Sequence, residues 1–254
     1  MEILKPNWPA PKNVFAFFTT RIGGVSSDPW SANNLSFNVG DKLESVQTNW
    51  ELLSKKISLP SPPQLLEQIH GIDIVKAECN GSTKIGDGSY SDRAGIVCTI
   101  TTADCLPVLI CNTQGSLVAS VHVGWRGLSA GIISNLIENL KVPAKDLMVY
   151  LGPAISQKNF EVGPEVREIF LRKCINIGIR KKINSCFLKI YKNKIDRNNK
   201  WKADLYNLAK IYFNEHGIFD IYGGDLCTYK DSERFYSYRR DGITGRMASL
   251  IWFS

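Results

Sequence analysis

This sequence lacks any apolar run of the roughly 18–20 residues that a membrane-crossing helix needs, so no membrane association is expected. Its opening stretch, MEILKPNWPAPK, has no basic region followed by an apolar core, so no signal peptide is read there. Internal repeats, low-complexity tracts and a second core-forming block are also missing, which leaves a single domain spanning residues 1–254. No zinc finger, aromatic RNA-binding signature or basic helix is present, and no nucleic-acid partner is expected. The seven cysteines form no paired framework, and an odd number argues against a disulfide scaffold. Reduced thiols and a cytoplasmic location are the simplest reading. Histidine is scarce, with only His70, His122 and His216.

What is present suits a packed globular chain: 44% hydrophobic and 10% aromatic residues. The formal net charge is +7, and part of the excess gathers between Arg167 and Lys202. Arg180-Lys181-Lys182 and Lys192-Asn193-Lys194 lie there, and they read as a solvated lysine-rich surface. A basic balance also attracts phosphorylated or carboxylated metabolites.

The most informative stretch is TTADCLPVLICNTQGSLVASVHVGWRG, residues 101–127. Two apolar runs flank Asn112-Thr113-Gln114-Gly115, which predicts a β-hairpin. A turn centred between Thr113 and Gln114 sets Cys105 directly opposite His122, on one face of the sheet. Such a pair can share a metal ion or act as nucleophile and base. A Gly-containing turn into a helix follows at Gly124-Trp125-Arg126-Gly127.

Around it the pattern alternates, predicting a mixed α/β protein. Strands are expected at 14–20, at 64–77 with a break at Gly71, at 94–100, 146–151, 218–222 and 247–253. Helices are expected at 44–57, 128–140, 163–173 and from the Asp204 cap to about His216. Residues 26–41 and 79–92 read as loops, and 174–202 is weakly patterned. Trp50 reads as core, and His216 as a helix-end residue favoured by the dipole. Arg21, at a strand end before Gly23-Gly24, suits an anion or the surface. So do Arg239, Arg240 and Arg246, which cluster around one turn.

These motifs resemble the bacterial laccase-domain family, also described as multicopper polyphenol oxidoreductases and as purine nucleoside phosphorylases, with a peptidoglycan-editing branch. The resemblance rests on FTTRIGGVS at 18–26, SFNVGD at 36–41, QIHG at 68–71, TADCLPVLI at 102–110 and HVGWRG at 122–127. LGPAI at 151–155, FEVGPEV at 160–166 and YSYRRDGITGRMASLIW at 236–252 extend it almost end to end. Ile69 and Val123 are small apolar departures. CTYKD at 227–231 lacks a second cysteine often found there.

The resemblance implies a sandwich of large mixed β-sheets with flanking helices. It implies His70, Cys105 and His122 as a metal triad, a three-ligand pattern that suits zinc better than copper. It implies phosphorolysis of adenosine, inosine and methylthioadenosine, and deamination of adenosine, with nucleoside and phosphate as small-molecule partners. Cys105, His122 and Arg21 are then the catalytic candidates, and Asn38, Arg239 and Arg240 the groups for ribose hydroxyl or phosphate. Asp104, on the opposite strand face from Cys105, reads as structural or supporting. The competing readings are a Cys105–His122 hydrolase acting on a peptidoglycan precursor, a polyphenol oxidoreductase, and a metal- or nucleotide-binding regulator.

Overall fold

The computed structural model describes residues 1–172, 176–190 and 200–254. Lys192-Asn193-Lys194, with the rest of 191–199 and residues 174–175 of the weakly patterned segment, lie outside the described residues. Arg180, Lys181 and Lys182 sit on the exposed face of the helix Ile177–Ser185, as a solvated surface requires.

Two sheets face each other. The first has four strands, all antiparallel, in the order Ile3–Leu4, Val14–Thr19, Met247–Phe253, Cys98–Thr102. The second has six, in the order Ile221–Gly223, Leu147–Leu151, Leu106–Asn112, Val118–Val123, Gly88–Ser91, Ile74–Lys76. Its two edge pairs are parallel and its inner pairs antiparallel.

The two-residue period of a strand distributes side chains between layers. Ala16 and Phe18 turn inward and meet Leu109, Cys111 and Val118 of the second sheet. Phe17 turns outward and is covered by Leu35 and by Leu53 of the helix Leu43–Ile57. Trp50 of that helix is half-buried, and its indole N–H donates to the Leu35 carbonyl at 3.0 Å. On the far side, Val108, Ile110, Ala119 and Val121 meet Leu136, Phe170, Leu208 and Phe213, from three helices. These helices are Ile132–Leu140, Pro164–Arg172 and Leu205–Glu215. Strands buried on both faces read as unbroken apolar runs, which explains LPVLICN and VASVHV. Each fully buried Leu or Phe contributes about 1.5–3 kcal/mol over its exposed state. The result is a mixed α/β sandwich with helices on both outer faces. Asp204 caps the last long helix as expected, accepting the Asn207 N–H at 3.0 Å.

The structure departs most from the sequence reading in three places. The hairpin register is shifted by two residues: Pro107, not Cys105, faces His122. Asn112 holds the amides of Ser116 and Leu117 with its side-chain oxygen, and Gly115 takes φ +66°, so Ser116 belongs to the turn. The helix expected at 128–140 is two helices, Trp125–Ala130 and Ile132–Leu140, because Gly131 adopts φ +107° between them. Finally, the Gly- and Ser-rich segment 79–92 holds two strands, Thr83–Ile85 and Gly88–Ser91. The second is an inner strand, and at Gly88 there is no space for a larger residue. A Cβ on Gly88 would lie 2.6 Å from Ile74 Cδ1 and 3.2 Å from both Val121 γ-carbons.

Gly88→Ala is therefore expected to destabilise the protein by about 1–3 kcal/mol through crowding. Urea unfolding checks this: the midpoint falls at unchanged slope. A midpoint equal to wild type would mean that this segment is the loop its composition describes.

Candidate active site

The site lies at one end of the sandwich. Thr102 ends one strand of the four-stranded sheet and Leu106 begins one of the six-stranded sheet, so residues 103–105 step from sheet to sheet. Cys105 is at the end of that step. His122 lies one residue before the end of the adjacent strand Val118–Val123. The two-residue shift in register moves Cys105 and His122 from opposite to diagonal neighbours but keeps them on one face. His70 arrives from the connection between Leu65–Glu67 and Ile74–Lys76, a wider break than the single Gly71 expected. Its Nε2 is 4.0 Å from Cys105 Sγ, and its ring centroid is 4.8 Å from that of His122. The donor atoms of His70, Cys105 and His122 all lie within 4.8 Å of one another, close enough to hold one metal ion. Gly124 leaves room for them: a Cβ there would lie 3.2 Å from Cys105 Sγ and 3.3 Å from His70 Cδ2.

Asp87 organises this group, and the sequence reading missed it because it fell in a segment read as loop. Its side chain is fully buried. The carboxylate accepts His122 Nδ1–H at 2.7 Å and the backbone N–H groups of His70 at 3.0 Å and Gly71 at 2.6 Å. His122 thereby turns its other nitrogen toward Cys105, and His70 is held at φ +60°, a strained value for a non-glycine residue. A carboxylate behind a ligating histidine fixes ring orientation and tautomer in metal sites.

The charges are mutually reinforcing. Burial pushes the Cys105 thiol up, but the neighbouring His122 imidazolium and hydrogen bonds from both histidines outweigh it and bring the thiol down to about 6. Burial pushes His122 down, and the Cys105 thiolate together with Asp87 reverses this, raising it to about 9. Asp87 is held below the usual carboxylate range, against burial, by its bonds to His122, Gly71 and His70. Cys98, Cys111 and Cys186 are pushed the other way, to about 12, by burial without such partners.

Two cavities flank the triad. One, of about 410 Å³, is lined by Asn38, Gln68, Thr102 and Arg246 besides the triad. The other, of about 240 Å³, is lined by Trp125, Phe160 and Arg239 beside His70 and Cys105. Tyr238 and Arg126 line both. Of the residues read as substrate groups, Asn38 lines the larger cavity and Arg239 the smaller. Arg21 and Arg240 line neither cavity. The Arg21 guanidinium donates to the Ser31 and Ser232 carbonyls and lies 4.9 Å over the Tyr236 ring. Arg240 donates to the carbonyls of Thr228, Tyr229 and Phe235 and to the Asp241 carboxylate. Their hydrogen-bonding capacity is used in holding loops together, which leaves little for a phosphate. Asp104 is structural, as read: it accepts from Thr228, Ser237 and the Arg239 N–H, anchoring the turn that carries Tyr238. His216 stays at its helix end, donating Nδ1–H to the Tyr212 carbonyl at 2.9 Å. Arg126, Thr102 and Tyr238 were not picked out from the sequence as site residues, though all three lie within quoted motifs. Adjacency to the triad within TADC and HVGWRG was the available signal for the first two.

Residues 15–254 match the family described as multi-copper polyphenol oxidoreductase laccase. The chain belongs to that family. It is 43% identical to the purine nucleoside phosphorylase YfiH of Escherichia coli, over 99% of this chain and 98% of that one. It is 40% identical to a Haemophilus influenzae purine nucleoside phosphorylase, each chain covered in full. Among solved structures, a Neisseria meningitidis protein superposes with TM-score 0.90 at 42% identity over the whole of both chains. YlmD of Geobacillus stearothermophilus superposes with TM-score 0.89 at 26% identity, covering 100% of this chain and 96% of that one. The mixed α/β fold with several sheets is shared with these neighbours. Relatives of this kind support an enzymatic role for the chain.

Asp87→Asn tests the electrostatics. Removing the carboxylate charge favours neutral His122, so its pKa falls from about 9 and Cys105 loses the cation that holds it near 6. Site-resolved alkylation of metal-free protein across pH should show Cys105 reacting with an inflection near pH 6 in wild type and a higher one in the variant. Identical inflections would detach Asp87 from the pair.

Proposed function

We propose that the chain, as one catalytic domain over residues 1–254, is a purine nucleoside phosphorylase that also deaminates adenosine. Its substrates are adenosine, inosine and methylthioadenosine, with phosphate as co-substrate. The observation that carries this reading is the convergence of His70, Cys105 and His122 beside a polar cavity of about 410 Å³. The purine nucleoside phosphorylase relatives at 40–43% identity support it.

The residues present fit zinc. Two imidazoles and one thiolate, with a buried carboxylate orienting one imidazole, match a three-ligand site that keeps an open position. Bound there, zinc supplies Lewis acidity and a water of lowered pKa. A multinuclear copper centre does not fit, because only two of the three histidines in the chain reach the site. The polyphenol oxidoreductase reading is therefore set aside despite the family's name.

Phosphorolysis moves the glycosidic electron pair onto the purine, which gains a proton, while a phosphate oxygen bonds the ribose carbon. The protein's task is to hold phosphate in line and to stabilise charge. In this reading Asn38 binds a ribose hydroxyl or phosphate, and Arg239 and Arg126 supply positive charge at the cavity walls. Arg126 stacks 4.5 Å over the Trp125 ring, exposed to solvent. Arg21 and Arg240 act by positioning, through the loops they brace. No helix among the described residues is long and apolar enough to cross a membrane. The six described cysteines are free. Both facts support the cytoplasmic reading.

One observation favours a second reading. The Cys105 thiolate beside the His122 imidazolium is the arrangement of a cysteine nucleophile, as in a hydrolase acting on a peptidoglycan precursor. His70 separates the two. With metal, His70→Ala should lower bound zinc and abolish both phosphorolysis and deamination. In a hydrolase it should only slow turnover and leave metal content unchanged. Zinc stoichiometry and turnover of wild type, His70→Ala and chelated wild type decide it. Full activity of the chelated enzyme sinks the metal reading.

A further inference from the structure

Among the described residues, five buried side-chain oxygen atoms have no hydrogen-bond partner. Only one of their residues, Thr102, lines the larger cavity beside the triad. Thr102 is 2% exposed, so its hydroxyl is almost wholly withdrawn from water. A buried hydroxyl left unpaired is costly, and native structures complete such groups with a partner or a ligand.

Arg246 lines the same cavity. Its chain neighbour Met247 faces Thr102 across the antiparallel pair, at the end where the four-stranded sheet opens onto the cavity. Arg246 Nη1 donates to the Thr244 carbonyl at 2.8 Å and the Gly245 carbonyl at 3.0 Å. Those two bonds fix the guanidinium, while Nε and Nη2 have no acceptor among the described residues. A fixed guanidinium with one free edge presents two parallel N–H donors, the geometry that matches an oxyanion. Asn38 lines the same cavity, and its side-chain amide is likewise without a partner among the described residues.

We propose that the free edge of Arg246, the Thr102 hydroxyl and the Asn38 amide form the subsite for inorganic phosphate in the larger cavity. This rests on the phosphorylase reading for its place in the reaction, but phosphate binding itself does not depend on turnover. It leaves the smaller cavity, walled by Trp125 and Phe160, for the flat apolar purine. The arginines of that wall are weaker candidates for phosphate. Arg239 is exposed and donates to the Glu161 carbonyl, and Arg126 is exposed and spread over an indole.

Two measurements keep the subsite and the phosphorylase reading apart. Calorimetric titration of inorganic phosphate into wild type, Thr102→Val, Arg246→Met and Arg126→Ala proteins reads binding directly. Thr102→Val keeps the β-branched shape and removes a hydroxyl without a partner, so the variant remains folded even if Arg246→Met does not. The expected result is a loss of phosphate affinity of at least about tenfold in Thr102→Val, as for a hydrogen bond to a charged group. Arg246→Met should lose more, and Arg126→Ala should lose less than Thr102→Val. Phosphate affinity unchanged in Thr102→Val, no phosphate binding by wild type, or a larger loss in Arg126→Ala than in Thr102→Val each overturns the subsite. Separately, initial rates with inosine at varied phosphate test the reading it rests on. A rise in KM for phosphate in Thr102→Val, with KM for inosine little changed, supports both. Absence of phosphorolysis in wild type that still binds phosphate through Thr102 overturns the phosphorylase reading and supports the subsite.

Discussion

Asp87 accepts hydrogen bonds from the His122 ring and from the backbone of His70 and Gly71, and its own carbonyl accepts the His122 N–H at 2.7 Å. One buried carboxylate therefore sets the rotation of one histidine and the backbone of another, while the backbone carbonyl of the same residue ties the neighbouring strand to His122. A buried carboxylate is tolerated only when its oxygens are filled. The partners that fill them here are the elements that must converge for Cys105 to meet two imidazoles. Gly124 is the complementary constraint, since the triad occupies the space where a side chain would stand.

The sandwich supplies the frame. Both sheets end at the same edge, and the three-residue step from Thr102 to Leu106 is too short to separate them. Whatever sits on residues 103–105 is pinned between two packed layers, a more precise location than a loop tip. The arginines around this edge divide by what they touch. Arg21 and Arg240 are surrounded by carbonyls and brace loops. Arg246 is half-committed in the same way and keeps one edge for the cavity. Sequence shows all of them as the same residue type near glycines. Their different roles come from the number of backbone acceptors that the fold delivers to each.

The elements that were legible are those in which local pattern and tertiary burial agree. Met247–Phe253 is an inner strand and reads as an unbroken apolar run. Leu205–Glu215 begins at its Asp204 cap, with Leu205 and Leu208 buried. The misread segments are those in which packing overrides composition. Gly88–Ser91 looks like loop because it is mostly small and polar, yet Gly88 is small because Ile74 and Val121 leave no space for a side chain. Gly131 interrupts a helical period that continues on both sides of it, and only its left-handed backbone shows the break.

By itself the sequence determined the class of fold and the strands of the central hairpin, and it paired Cys105 with His122 as residues with chemistry to offer; His70 joined them only through the family resemblance. Apolar periodicity around a turn signal is a property of residue order, which is why that much was legible. The tertiary structure alone decided the hairpin register, the part played by Asp87, and which arginines face the cavity. Those depend on which backbone carbonyls and side chains distant segments bring within about 3 Å of one another, the range of a hydrogen bond. Thr102 and Arg246 line one cavity although they lie more than a hundred positions apart in the chain, and no local pattern encodes that meeting.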